Sequence, residues 1–250
     1  MKRLLLFFTV CIKFFTFGQD YNFDWTISEG GISSDFSFCV TSDSYGNVYT
    51  IGMFNDTVDF DPGIGVFELA SNGLTDIYVQ KLDPQGNLIW VKQMGGAFAD
   101  YGYSIVTDDL GNVYTTGNFH DSVDFDPGSG SDILVANGDI TEEDIFVQKL
   151  DVNGNLVWVT YTKDTNNFLQ SFLLKTSKLQ MDKDNLYFSN NQNSLFSVDK
   201  NSGFVNWRQN INSEIKPLIV ENLIFSLAAI IHLKLNWMRS VFKVMNFLHL

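Results

Sequence analysis

The chain has 250 residues, 45% of them hydrophobic and 15% aromatic, with 23 Phe; this is enough apolar side chain for a sizeable core and excludes a disordered polymer. Its formal net charge of −13 is unevenly spread: residues 20–165 hold 24 Asp or Glu against 4 Lys or Arg, whereas residues 166–250 hold 5 against 9. An acidic surface of that kind repels phosphate backbones and argues against nucleic acid as a partner, while fitting divalent cations or simple solubility.

In chain order, the first element is a leader. Lys2 and Arg3 precede an apolar run from Leu4 to Phe17, and Thr16-Phe17-Gly18 places small residues at −3 and −1 of a cleavage site before Gln19. Residues 1–18 therefore read as a signal peptide that sends the chain outside the cell or to its outer surface; the run is too short for a comfortable membrane span. Cleavage leaves Cys39 as the one cysteine, so no intramolecular disulfide forms; in Ser37-Phe38-Cys39-Val40-Thr41 it reads as a small buried hydrophobe.

Beyond the leader, self-similarity dominates. Gly46-Asn47-Val48-Tyr49-Thr50 returns as Gly111-Asn112-Val113-Tyr114-Thr115, and 15 of 20 positions are identical between residues 46–65 and 111–130. Asp76-Ile77-Tyr78-Val79-Gln80-Lys81-Leu82-Asp83 returns as Asp144 to Asp151 at an offset of 68, the three extra residues falling near Gly138 to Glu143. Each unit resolves into two predicted hairpins. Phe38–Ser42 and Asn47–Phe54 are joined by Asp43-Ser44-Tyr45-Gly46, and Ile77–Leu82 and Leu88–Lys92 by a turn in which Pro84 presets φ and Gly86 accepts positive φ.

Four short strands per tandem unit predict an all-β chain of β-propeller-like blades, each a four-stranded antiparallel sheet buried against its neighbours. Trp25, Trp90 and Trp158 recur once per unit and are expected on last strands, packed between sheets. The blades are expected at about 36–95 and 102–162, with a degenerate one at 178–212, inside a repeat region spanning 19–225.

The signature Asp-x-x-Gly-Asn-Val-Tyr-x-x-Gly-x-Phe, then Val-Asp-Phe-Asp-Pro-Gly, then Asp-Ile-Tyr-Val-Gln-Lys-Leu-Asp-x-x-Gly-Asn-Leu-x-Trp resembles the SBBP class of bacterial β-propeller repeat over about residues 24–162. The resemblance implies an exported or cell-surface propeller, often tied to type IX secretion, and carries no catalytic residues. The third unit, from Asp184-Asn185-Leu186-Tyr187-Phe188 to Trp207, lacks the long acidic insertion; its second hairpin is similar to PQQ-type propeller blades, which implies a blade and not a bound quinone.

Residues 226–250 lack Gly and Asp and space Leu227, Ile230, Ile231, Leu235, Met238 and Phe242 as a helix does. They read as an amphipathic membrane or partner helix, or as a frameshift tail; the reversal of charge where the repeat ends favours the tail. About three blades fall short of the four to eight of a closed ring, so an open or incomplete propeller with a sheet edge prone to self-association is expected.

Candidate chemistry centres on Asp56, Asp59 and Asp61, repeated as Asp121, Asp124 and Asp126. Asp59 and Asp61 alternate on one strand face, and clustered carboxylates with loop carbonyls suit Ca²⁺; the competing reading is that they cap a turn. Carboxylates repeated in every unit argue against glycoside hydrolysis, whose site is built once. His120, standing where the first unit has Asn55, reads as an exposed loop residue. Two functions are open: a non-catalytic surface module binding protein or glycan through loops at one blade end, or a truncated fragment of a larger extracellular enzyme or sensor.

Overall fold

The computed structural model describes residues 25–27, 30–136, 143–162, 178–189 and 194–210, and among these every regular element is a strand. The leader at 1–18 and the tail at 226–250 lie outside the described residues.

The first blade is built from β1 (Phe36–Ser42), β2 (Val48–Phe54), β5 (Asp76–Leu82) and β6 (Leu88–Met94), hydrogen-bonded in the order β1-β2-β5-β6. Between its hairpins, β3 (Thr57–Asp59) and β4 (Glu68–Ala70) form a separate two-stranded ribbon. The second blade repeats this with β7 (Tyr101–Thr107), β8 (Val113–His120), β11 (Glu143–Leu150) and β12 (Leu156–Thr162), and a ribbon of β9 (Ser122–Asp124) and β10 (Ile133–Val135). The third has β13 (Gln180–Met181), β14 (Asn185–Ser189), β15 (Ser194–Asp199) and β16 (Val205–Asn210) without a ribbon. Neighbouring strands in each sheet are antiparallel and no sheet closes into a barrel, as expected of an open or incomplete propeller.

Turn chemistry makes the hairpins. In the first, Asp43 Oδ1 accepts the amides of Tyr45 and Asn47 (both 2.9 Å), while Oδ2 accepts Asn47 Nδ2 (2.7 Å) and the Tyr49 hydroxyl (3.0 Å). Gly46 sits at φ 83°, in the left-handed region that a Cβ disfavours. Asp108 repeats the whole arrangement with Leu110, Asn112 and Tyr114. One carboxylate thus satisfies the turn amides and ties the turn to its own strand.

Blades stack through their faces. Tyr49, Ile51, Ile77 and Val79 of the first blade meet Ile105, Val113, Phe146 and Leu150 of the second in one core. Tyr114, Ile145 and Val147 of the second meet Leu179, Leu186, Phe188 and Val198 of the third in another. Covered on both faces, β5 is buried at every residue, which is why its sequence is apolar on both sides rather than alternating. Trp90 and Trp158 do stand on last strands, β6 and β12, packed against these cores, whereas Trp25 lies outside the described strands.

The acidic insertion is a folded element, not a plain loop. Phe60 packs edge-on against Phe54 (ring centroids 5.3 Å apart) and close to Tyr78, and Phe125 does the same with Phe119 and Phe146. From β5, Gln80 Nε2 donates to the Phe60 carbonyl (3.0 Å); Gln148 donates to that of Phe125 (2.7 Å). Burying each ring is worth about 2 kcal/mol, enough to hold a six-residue ribbon that has no sheet of its own. Cys39 departs from expectation: it is half-buried, because β1 is the edge strand of its sheet and only its inner side meets the core.

Candidate functional site

The six repeated aspartates are placed by loop geometry. Asp59 Oδ1 accepts the amides of Asp61 (3.0 Å) and Phe67 (2.8 Å), and Asp61 Oδ1 accepts that of Gly63 (2.8 Å); Asp124 and Asp126 do the same with Asp126, Asp132 and Gly128. Amide donation holds the Asp59 carboxyl below its usual range. Asp56 and Asp121 occupy the left-handed region (φ 70° and 50°) at the corner where the chain leaves the blade for the ribbon, a conformation Asp tolerates better than most residues. Among the described residues, no three His, Cys, Asp or Glu side chains are grouped to hold a metal ion.

A different cluster, present once, appears where the first two blades diverge in sequence. The first blade has Phe36, Phe38, Met53, Asn55 and Thr75; the second has Tyr101, Tyr103, Asn118, His120 and Glu143 at the matching positions. The start of β7, the end of β8 and the start of β11 bring these five to one end of the blade, Glu143 pairing opposite His120 across the ladder.

His120 is therefore corrected from an exposed loop residue to the last residue of β8, its side chain 14% exposed. Its Nδ1 contacts the Ala99 carbonyl, which can only accept, so Nδ1 carries a hydrogen; Nε2 lies 3.3 Å from Glu143 Oε1. Asn118 Nδ2 donates to Glu143 Oε2 at 2.6 Å. Burial raises the Glu143 carboxyl, against the opposing pull of Asn118 and His120. The loop entering the blade is fixed beneath them by Asp100, fully buried, whose carboxylate accepts the amides of His120 (2.9 Å) and Gly96 (2.8 Å). Asp100 has a structural counterpart in Asp35, which accepts the amides of Asn55 and Gly31; the His120–Glu143–Asn118 triad does not.

Beside the triad runs a line of rings on the edge strands β1 and β7. Phe36 stacks on Phe38 (6.1 Å between centroids), Phe38 meets Tyr103 edge-on (5.2 Å), and Tyr103 stacks on Tyr101 (5.9 Å). Phe36 and Phe38 are 52% and 37% exposed, and both Tyr hydroxyls are pushed up by burial and by the nearby Glu143 charge. The combination offers an aromatic strip beside phenol, carboxyl and amide groups. Sequence reading missed it because its parts lie on strands far apart in the chain; the signal available was the departure of Asn118, His120 and Glu143 from the repeat.

Three ribboned or plain four-stranded blades stacked face to face define a β-propeller repeat protein. More particularly, residues 89–118, from β6 through most of β8, match the family model described as the SBBP β-propeller repeat, consistent with an SBBP-type repeat over this stretch. The chain is also 29% identical over 112 residues to an uncharacterized WD repeat-containing protein of Acanthamoeba polyphaga mimivirus, an alignment covering 39% of this chain and 8% of the relative. It thus spans less than a tenth of the length of that curated relative.

Proposed function

We propose that the chain is a non-catalytic binding module of an exported protein, taking a glycan on the strip Phe36–Phe38–Tyr103–Tyr101. The carrying observation is that Phe36 and Phe38 of this strip are exposed and that the strip adjoins polar groups that occur in only one of the two full blades. Aromatic faces accept the C–H faces of sugar rings, while Tyr hydroxyls and neighbouring backbone supply the few oriented hydrogen bonds a glycan needs. A non-catalytic role is supported by the recurrence of the acidic set Asp56, Asp59 and Asp61 as Asp121, Asp124 and Asp126, since a hydrolytic carboxylate pair is built once. Export is supported by the Lys2-Arg3 leader; mass spectrometry of the mature protein finding Gln19 at the N terminus tests it.

A glycan array followed by calorimetry, with the mature chain and its Phe38→Ala/Tyr103→Ala variant, tests the binding role. Glycan binding weakened at least about tenfold in the variant is expected, since aromatic anchors dominate such contacts. Binding that survives the double substitution removes the strip from consideration. Capture of a polypeptide, with no glycan bound, transfers the module to the protein-binding class.

A further inference from the structure

One contact repeats at each of the three described blades. The indole N–H of Trp25 donates to the Pro84 carbonyl of the first blade's second turn (3.0 Å), Trp90 to Val152 of the second (3.1 Å), and Trp158 to Lys200 of the third (3.3 Å). The acceptor in each case directly follows the Asp that caps the turn, and each ring lies on that turn's glycine: Gly86, Gly154 and Gly203. A Cβ at Gly203 would stand 2.8 Å from the Trp158 ring, so these turns are shaped to receive an indole.

The donor side repeats as well. Trp90 packs against Tyr49 (6.1 Å between centroids) and Trp158 against Tyr114 (6.3 Å), each Tyr hydroxyl being anchored on the Asp of its own first turn. The third blade keeps the full set: Trp207 lies 6.4 Å from Tyr187, whose hydroxyl donates to Asp182 at 2.9 Å. Among the described residues, however, the Trp207 N–H has no acceptor. Tyr187 and Leu195, on the same face, are only 6% and 2% exposed, as buried as Tyr49 and Val79 are beneath the next blade.

We propose that this face is a docking surface for one more hairpin, and that its occupant is the chain's own segment 218–226. Sequence pattern singles that segment out. Asn222-Leu223-Ile224-Phe225-Ser226 repeats Asn185-Leu186-Tyr187-Phe188-Ser189 at four of five positions. In the third blade, Leu179, Leu186 and Phe188 are the residues buried against Tyr114, Val147 and Trp158 of the blade before. The counterparts of Leu186 and Phe188, Leu223 and Phe225, are apolar, which is what a face formed by Tyr187, Leu195 and Trp207 requires. The start of residues 211–250 thus continues the repeat in pattern.

Amide hydrogen exchange on the full mature chain tests this. Residues 218–226 are expected to be protected, and Trp207→Ala is expected to speed their exchange at least about tenfold, through loss of the aromatic side chain that lines this face, while residues 36–94 keep wild-type protection. Trp207→Phe, which keeps the ring but not the N–H, is expected to fall between; it serves where the Ala variant fails to fold. Wild-type residues 218–226 exchanging as free chain, or protection indifferent to both substitutions, overturns the proposal. So does protection that grows with protein concentration alongside a dimer in sedimentation, which assigns the face to a second copy.

Discussion

Raising the pH from 5 to 8 is expected to weaken this fold, contrary to the behaviour of a domain held by well-solvated carboxylates. Asp100 is the cause. Fully buried at the junction of the first two blades, it is pushed up from 3.8 to about 7 by desolvation, against the two amides that favour its charge. A carboxyl with a higher pKa folded than unfolded binds its proton more tightly in the native state. Its contribution is complete below the unfolded value and is lost as pH climbs through the folded one. Moving a carboxyl from 3.8 to about 7 corresponds to about 4 kcal/mol over that interval. Burial also raises Asp76 and Glu143, which act in the same direction. The turn residues Asp43, Asp108 and Asp182 run the other way: although burial works against their charge, hydrogen bonds lower them, so their stabilisation is present above the unfolded value and is lost only in acid. Stability is therefore expected to peak at about pH 4, near the unfolded carboxyl value, and to fall from there to about pH 7. Urea midpoints of the full chain between pH 4 and 8, for wild type and Asp100→Asn, measure this. The variant removes the titration but accepts only one of the two amides, so it should be weaker by about 1–2 kcal/mol at pH 5 and markedly flatter above it. A wild-type midpoint that rises from pH 5 to 8, or a variant with the wild-type slope, refutes the reasoning.

The remaining predictions concern junctions, turns and ribbons. Trp90→Ala should cost about 2–3 kcal/mol in chemical denaturation and Trp90→Phe about 1, separating ring packing from the bond to Val152. Gly154→Ala should cost about 1–2 kcal/mol, because φ there is 77° and the new methyl meets Trp90 and Lys92. At the ribbon corner, Asp56→Gly should be nearly neutral and Asp56→Val destabilising by about 1–2 kcal/mol; equal effects would show that the positive φ is not what the position demands. The Ca²⁺ proposal for Asp56, Asp59, Asp61, Asp121, Asp124 and Asp126 is tested by calorimetry and melting in millimolar Ca²⁺. Heat and a higher Tm, both lost in Asp61→Asn/Asp126→Asn, support it, and the absence of both dismisses it.

Much of this architecture was legible in one dimension because the interactions that build it are local. An Asp-x-x-Gly-Asn turn is closed by bonds reaching no further than six residues, from Asp43 to Tyr49, so the same short string reproduces the same hairpin wherever it occurs. The Trp that recurs once per unit likewise announced blades packed against their neighbours. Tertiary structure alone decided the rest. The insertion became a ribbon because Gln80 and Tyr78 reach it from a strand later in the chain. Asp100 acquired its high pKa from burial between blades, which no spacing reveals. His120 passed from loop to paired, buried residue because Glu143, just after the three-residue expansion of the repeat, lands opposite it in the ladder. The aromatic strip likewise exists only because packing one blade on the next sets Phe38 beside Tyr103, 65 residues away. Local hydrogen bonding wrote the blade into the sequence; the stacking of blades, a long-range effect of apolar burial, made the candidate site.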